Sequence, residues 1–149
     1  VGGRGLVAAG DIDRELAAVF LANGEGFLRG SDAADRGDAR EICYVIVIAI
    51  ATELVLKAFL VARGWSDDRC RRHVRHDLEK ALAFAKAAGL KAVAGLDGIV
   101  TVLNAYYPTH AFDSFVVPAG DAAFPARARA IVGDQFERVR PQVEASGGR

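Results

Sequence analysis

Over residues 69–76 the chain reads Arg-Cys-Arg-Arg-His-Val-Arg-His. No other stretch gathers so many groups able to handle a phosphate. An arginine fork can hold a phosphate and the charge that develops on it. A histidine can take or give a proton near neutral pH. Four residues lie between Arg71 and His76, and six between Arg69 and His76. Such a pair suits metal-free RNA cleavage, in which a base deprotonates the 2′-hydroxyl and an acid serves the leaving oxygen. Arg69, Arg72 and Arg75 would supply further nucleic-acid-binding charge. The plain reading of His76 is a residue that opens a helix at His76-Asp77-Leu78 and packs near Glu53. Cys70, His73 and His76 also invite zinc, since ligands three apart can share a helical face. A structural site wants four ligands and no second Cys/His pair exists, so neither a metal nor another cofactor is expected.

Glu53 and Lys57 are i, i+4 neighbours in an apolar stretch, with the acid on the favourable N-terminal side. Either Glu53 partners a site histidine, or the two form a structural pair, because a charge inside a bundle must be matched. His110 precedes Ala-Phe-Asp-Ser-Phe and reads as an ordinary loop histidine. Tyr106 and Tyr107 end a helix and read as core and rim rather than as a base-stacking platform. There is no Gly-rich phosphate loop, Gly-x-Ser-x-Gly elbow, metalloprotease helix or nucleotidyltransferase signature.

These residues need a frame. The chain has 149 residues, enough for one domain with its own core. Basic and acidic residues balance at 19 each, so no global field draws the protein to nucleic acid or membrane. The balance is local: residues 65–91 hold seven cations against four acids, and residues 92–124 three acids and no Lys or Arg. Two cysteines, Cys43 and Cys70, make no disulfide framework and fit a reducing cytoplasm. The N-terminus has no run long enough for a signal-peptide core, and its missing methionine reads as trimming. Residues 42–62 are long enough to span a membrane. With Glu53 and Lys57 at their middle, they read instead as the central helix of a soluble bundle.

A helical period recurs throughout, with no alternating strand pattern. The first helix covers 12–29, with Ile12, Leu16, Val19, Phe20, Phe27 and Leu28 on one side; Gly30-Ser31-Asp32 ends it before a polar loop at 31–38. The second runs from Ala39 to Arg63, stops at Gly64, and should be the most buried, with Ile46, Ile50 and Leu54 touching several helices. Ser66 caps a short turn through 67–73. A third helix opens at Asp77 and closes at Gly89. A fourth runs from Leu96 to Tyr107 and is stopped by Pro108. After an apolar connection at 108–124, a last helix begins at Pro125 and is disturbed at Pro141.

The order Glu53-Leu54-x-x-Lys57-Ala58, then Gly64, then His76-Asp77-Leu78 resembles the HEPN superfamily, small helical bundles found in prokaryotic proteins. The resemblance implies an all-α, four- to five-helix up-and-down bundle over residues 12–140, with residues 1–11 and 141–149 as flexible termini. It implies a homodimer and two functions. In one, the domain binds RNA, a nucleotide or a protein partner through residues 69–76, without catalysis. In the other, it is a metal-independent endoribonuclease of a toxin–antitoxin or phage-defence system. There Arg71 clamps the phosphate, His76 acts as general acid or base, the dimer brings two such sets together, and any antitoxin is a separate chain. In the nucleases the residue after the arginine is usually Asn, Asp or His, and here it is Arg72. Asp113 stands where related proteins carry the arginine of an aromatic-Arg-Tyr element. The first departure favours binding over catalysis, and the second puts in doubt any binding role attached to that element.

Overall fold

The computed structural model describes residues 12–34 and 38–147, so the expected flexible segment 1–11 and part of the expected 31–38 loop lie outside the described residues. Among the described residues there are six α-helices and one 3-10 turn, and no strand. They are α1 (Arg14–Ala34), α2 (Asp38–Ala62), α3 (Asp67–His73), α4 (Leu78–Ala87), α5 (Leu96–Asn104), the turn Phe112–Ser114, and α6 (Phe124–Gly147). The 67–73 stretch is thus a helix in its own right.

The core is organised around α2, which packs along α1 and α6 and touches every other helix. Its fully buried side chains include Ile48, Val55, Leu56, Phe59 and Leu60. Each large apolar side chain removed from water contributes about 1.5–3 kcal/mol. Ile46, Ile50 and Leu54 are not the central contacts expected of them: all three are only half-buried. Because the first half of α2 is apolar on every side, its composition gave no sign of which face turns inward. The segment Ile42–Ala62 is long and apolar enough to cross a membrane, and most of it is buried among the other helices.

Local chemistry sets the helix ends. The Asp13 carboxylate accepts from the Leu16 amide at 3.0 Å and starts α1. That helix continues past Gly30 to Ala34, because the Ser31 hydroxyl, instead of breaking it, donates back to the Leu28 carbonyl at 2.6 Å and accepts from Arg129 Nε on α6 at 3.0 Å. At the end of α2, Gly64 takes φ 103°, the Gly64 amide bonds the Val61 carbonyl, and the Trp65 amide reaches back to the Leu60 carbonyl. Gly89, at φ 105°, closes α4 in the same way through Leu90 and Ala85. Only glycine takes up this left-handed geometry freely. Trp65 then packs at a tilt against Phe84 of α4, ring centres 4.9 Å apart. Gln135, fully buried on α6, accepts from the Val93 amide at 2.8 Å and fixes the loop between α4 and α5.

Two boundaries differ from expectation. α6 runs through Pro141 to Gly147, and Val143 is buried, so ordered structure extends beyond residue 140. Val139 and Val143 keep the helix on the core across the hydrogen bond that proline removes. α5 ends at Asn104, three residues early, where the chain tightens into a turn through Tyr106 and Tyr107 that both bond the Leu103 carbonyl.

Candidate anion-binding site

Glu53 lies mid-way along α2 and is buried. Three elements deliver donors to its carboxylate. Lys57, one turn on, donates to Oε2 at 2.6 Å. Tyr107, carried by the tight turn after α5, donates its hydroxyl to Oε1 at 2.7 Å. His76, from the α3–α4 link, brings Nδ1 to the same Oε1 at 2.9 Å. Burial pushes the Glu53 carboxyl up, but the hydrogen bonds from His76, Lys57 and Tyr107, with the Lys57 charge, more than offset it and hold the group below its ordinary value of 4.5. Burial, then the adjacent Glu53 charge and hydrogen bond, push the Tyr107 phenol well up, so it stays a donor. An ionised carboxylate only accepts, so Nδ1 of His76 carries the hydrogen and Nε2 is left facing outward.

The link that carries His76 is tightly specified. Ser66 accepts from the Arg69 amide at 3.0 Å and starts α3. Asp77 caps α4, accepting from the Lys80 amide at 3.0 Å. Between them Arg75 adopts φ 52°, the left-handed region rarely used by non-glycine residues. Asn104, the last residue of α5, accepts from the Leu78 amide at 2.7 Å and donates to Asp77 and Glu79 at 3.1 Å each. It locks the start of α4 to the end of α5, and so fixes His76 relative to Tyr107.

Above this floor is a cleft of ≈ 440 Å³ whose wall includes Arg72, His73, Arg75, His76, Asp77 and Lys80. The His76 side chain is 53% exposed there, neither buried nor free. Arg72 pairs with Asp68 at 2.7 Å on the surface, a contact weak enough to yield to a ligand. Arg71 is not part of this wall: it pairs with Asp67 at 2.5 Å and its side chain is 72% exposed. Arg69 is not part of it either, its guanidinium lying 3.8 Å over the Trp65 ring. The candidate pair Arg71–His76 is therefore not brought together on one wall, whereas Arg72, Arg75 and His76 are. One residue of difference around a helical turn swings a side chain by about 100°, enough to move it to another face.

Cys70 is fully buried, and burial pushes its thiol up to about 11, so it is a core residue rather than a metal ligand. Among the described residues no three His, Cys, Asp or Glu side chains group to hold a metal ion. Tyr107 and Asn104 both belong to the site and were missed by sequence reasoning. A Tyr at a helix end with an Asn three residues before it carries no distinctive signal. The ring of His110 lies 5.9 Å from that of His76. Compared with known proteins, the chain matches no family model, no curated protein and no solved structure.

Proposed function

We propose that the 72–80 cleft binds a phosphate group of single-stranded RNA or of a nucleotide, on a helical bundle of the HEPN type. The observation that carries this reading is the convergence of Arg72, His73, Arg75, His76 and Lys80 on one wall, over a histidine held from beneath by Glu53. Asp77, the one acid in that wall, is already engaged as the cap of α4. The protein works in the cytoplasm as a homodimer, for which the half-buried stripe Ile42, Ile46 and Ile50 on α2 offers an apolar face. Light scattering at micromolar concentration should then give twice 15.8 kDa, and Ile50→Asp should give a folded monomer. A wild-type protein that scatters only as the monomer rejects the dimer.

Binding to a labelled single-stranded RNA, followed by fluorescence anisotropy over a salt series, tests the cleft. Arg72→Ala and Arg75→Ala should each weaken binding by about tenfold, the scale of a charge-assisted hydrogen bond. Each should lower the salt slope by about 0.7. Arg69→Ala and Arg71→Ala, whose side chains lie off the cleft wall, should do much less. Equal losses from all four arginines would mean diffuse charge rather than this cleft. The Glu53-held imidazole also favours a second reading, the metal-independent endoribonuclease of a toxin or defence system with a separate antitoxin chain.

A further inference from the structure

We infer that the cleft takes up a proton when it binds phosphate, that His76 receives it, and that the cleft therefore holds its ligand more tightly as pH falls. The inference rests on the phosphate-binding reading of the 72–80 wall and adds a regulation to it. Its basis is the way one imidazole is shared between floor and cleft. Nδ1 of His76 stands 2.9 Å from Glu53 Oε1, and the side chain is half-exposed on the wall. The ionised carboxylate only accepts, so Nδ1 keeps its hydrogen whether or not the ring is charged. Any change of protonation falls on Nε2, the nitrogen on the open side.

In the neutral ring this places an acceptor where the ligand needs a donor. A phosphate oxygen brings lone pairs, and neutral Nε2 meets them with another. A proton on Nε2 turns the mismatch into a charge-assisted hydrogen bond. Glu53 supports the imidazolium from beneath and the phosphate supports it from above. Proton and phosphate therefore each strengthen the other's binding by the same factor. The sign follows from the charges. An anion favours the charged form of a histidine, so the ligand draws a proton in and acid tightens the complex.

The groups around His76 leave it this role. From α2 come Glu53, held below 4.5 and so ionised near neutrality, and Lys57, bonded to the other carboxylate oxygen at 2.6 Å. From the turn after α5 come Tyr107, whose phenol is pushed well up and gives its hydrogen to Oε1 at 2.7 Å, and the His110 ring, edge-on with its centre 5.9 Å away. α3 and the link bring Arg72, His73 and Arg75, and α4 brings Asp77 and Lys80. Arginine and lysine stay charged across the range in which histidine titrates. Asp77 is committed to capping α4. His73 meets the Trp65 ring edge-on, centres 6.5 Å apart, and has no ion pair among the described residues. His110 lies off the cleft wall. Among the described residues only His76 has both a carboxylate behind it and the cleft in front.

The test uses a labelled oligouridylate without terminal phosphate, whose phosphodiesters and bases do not titrate in the range where histidine does. Anisotropy gives its affinity from about pH 8 to about pH 5.5 at fixed ionic strength. Calorimetry in two buffers of different ionisation heat gives the protons taken up. The wild type should bind about tenfold more tightly at the acid end, the scale of one charge-assisted hydrogen bond, and take up a measurable fraction of a proton. His76→Asn, which keeps a donor but cannot become charged, should bind equally at both ends and take up none. His73→Asn and His110→Asn should keep the pH dependence. One measurement needs no variant at the key position: in ring-labelled wild-type protein near neutrality, added RNA should move the His76 signal towards its protonated position. Binding that is equal at both ends, with no proton uptake, overturns this inference and leaves the phosphate-binding reading standing. Uptake that survives His76→Asn, or is lost in His73→Asn or His110→Asn, overturns it too. Absence of RNA binding at every pH overturns both.

Discussion

Glu53→Ala should lower the melting temperature by roughly 10 °C, the shift that a loss of about 3 kcal/mol produces in a domain of this size. The alanine strands Lys57, whose side chain is only 10% exposed, and leaves the Tyr107 hydroxyl and His76 Nδ1 without their acceptor. Most of the loss is the cost of an unmatched buried cation rather than the worth of the pair. Glu53→Met combined with Lys57→Met should therefore recover much of it. Acid should reveal the same group. The folded-state carboxyl sits below 4.5 while the unfolded one titrates near it. Its contribution is complete above that pH and is lost as pH falls through the lower folded value. The gap between wild-type and Glu53→Ala melting temperatures should thus be constant near neutrality and narrow on acidification below pH 4.5. A shift under about 2 °C at pH 7 by circular dichroism, against the several degrees a lost buried pair implies, would remove Glu53 from the centre of the site.

Ile48→Asp should abolish cooperative folding. Ile48 is fully buried at the heart of α2, and no cation lies among the residues that flank it on that helix face, Val45, Thr52 and Val55. An unpaired carboxylate there costs about 4 kcal/mol or more, a large part of the total stability of a single domain, about 5–15 kcal/mol. Ile50→Asp, two residues away on the half-buried face, should cost much less, since its carboxylate can reach water. The comparison asks which face of α2 looks inward. If the two variants melt alike, the packing described for α2 is wrong.

How much of this was readable in the chain depended on the kind of signal. Helix boundaries carried by a single backbone demand were legible: the stops at Gly64 and Gly89 and the starts at Ser66 and Asp77 all sit where their chemistry places them. The Glu53–Lys57 pair was legible from spacing, and His76 near Glu53 from the need to match a buried charge. The inward face of α2 was not, because a helix apolar all round has no amphipathic phase to read. Ser31 looked like a breaker because its hydroxyl was free to bond its own backbone; the bond it makes preserves the helix instead. Which arginine meets His76 depended on the turn between α3 and α4, where the left-handed Arg75 redirects the chain. Nothing in the residue order announces that turn. Tyr107, Asn104 and His110 are brought in from more than 25 positions away by tertiary packing, and spacing arguments do not reach that far.

The position of Glu53 divides the cleft into two parts that can change at very different rates. Its floor is a carboxylate of the central helix, shared between a lysine of the core, a tyrosine of one turn and a histidine of another. Removing Glu53 or Lys57 alone leaves a buried charge unmatched and unsettles the bundle. The rim is made of Arg72, Arg75 and Lys80, all exposed, and substitutions at such positions usually alter stability by less than about 0.5 kcal/mol. What the cleft recognises can therefore be retuned from the rim alone, by selection or by design, while the inherited floor continues to present the same imidazole at the same angle.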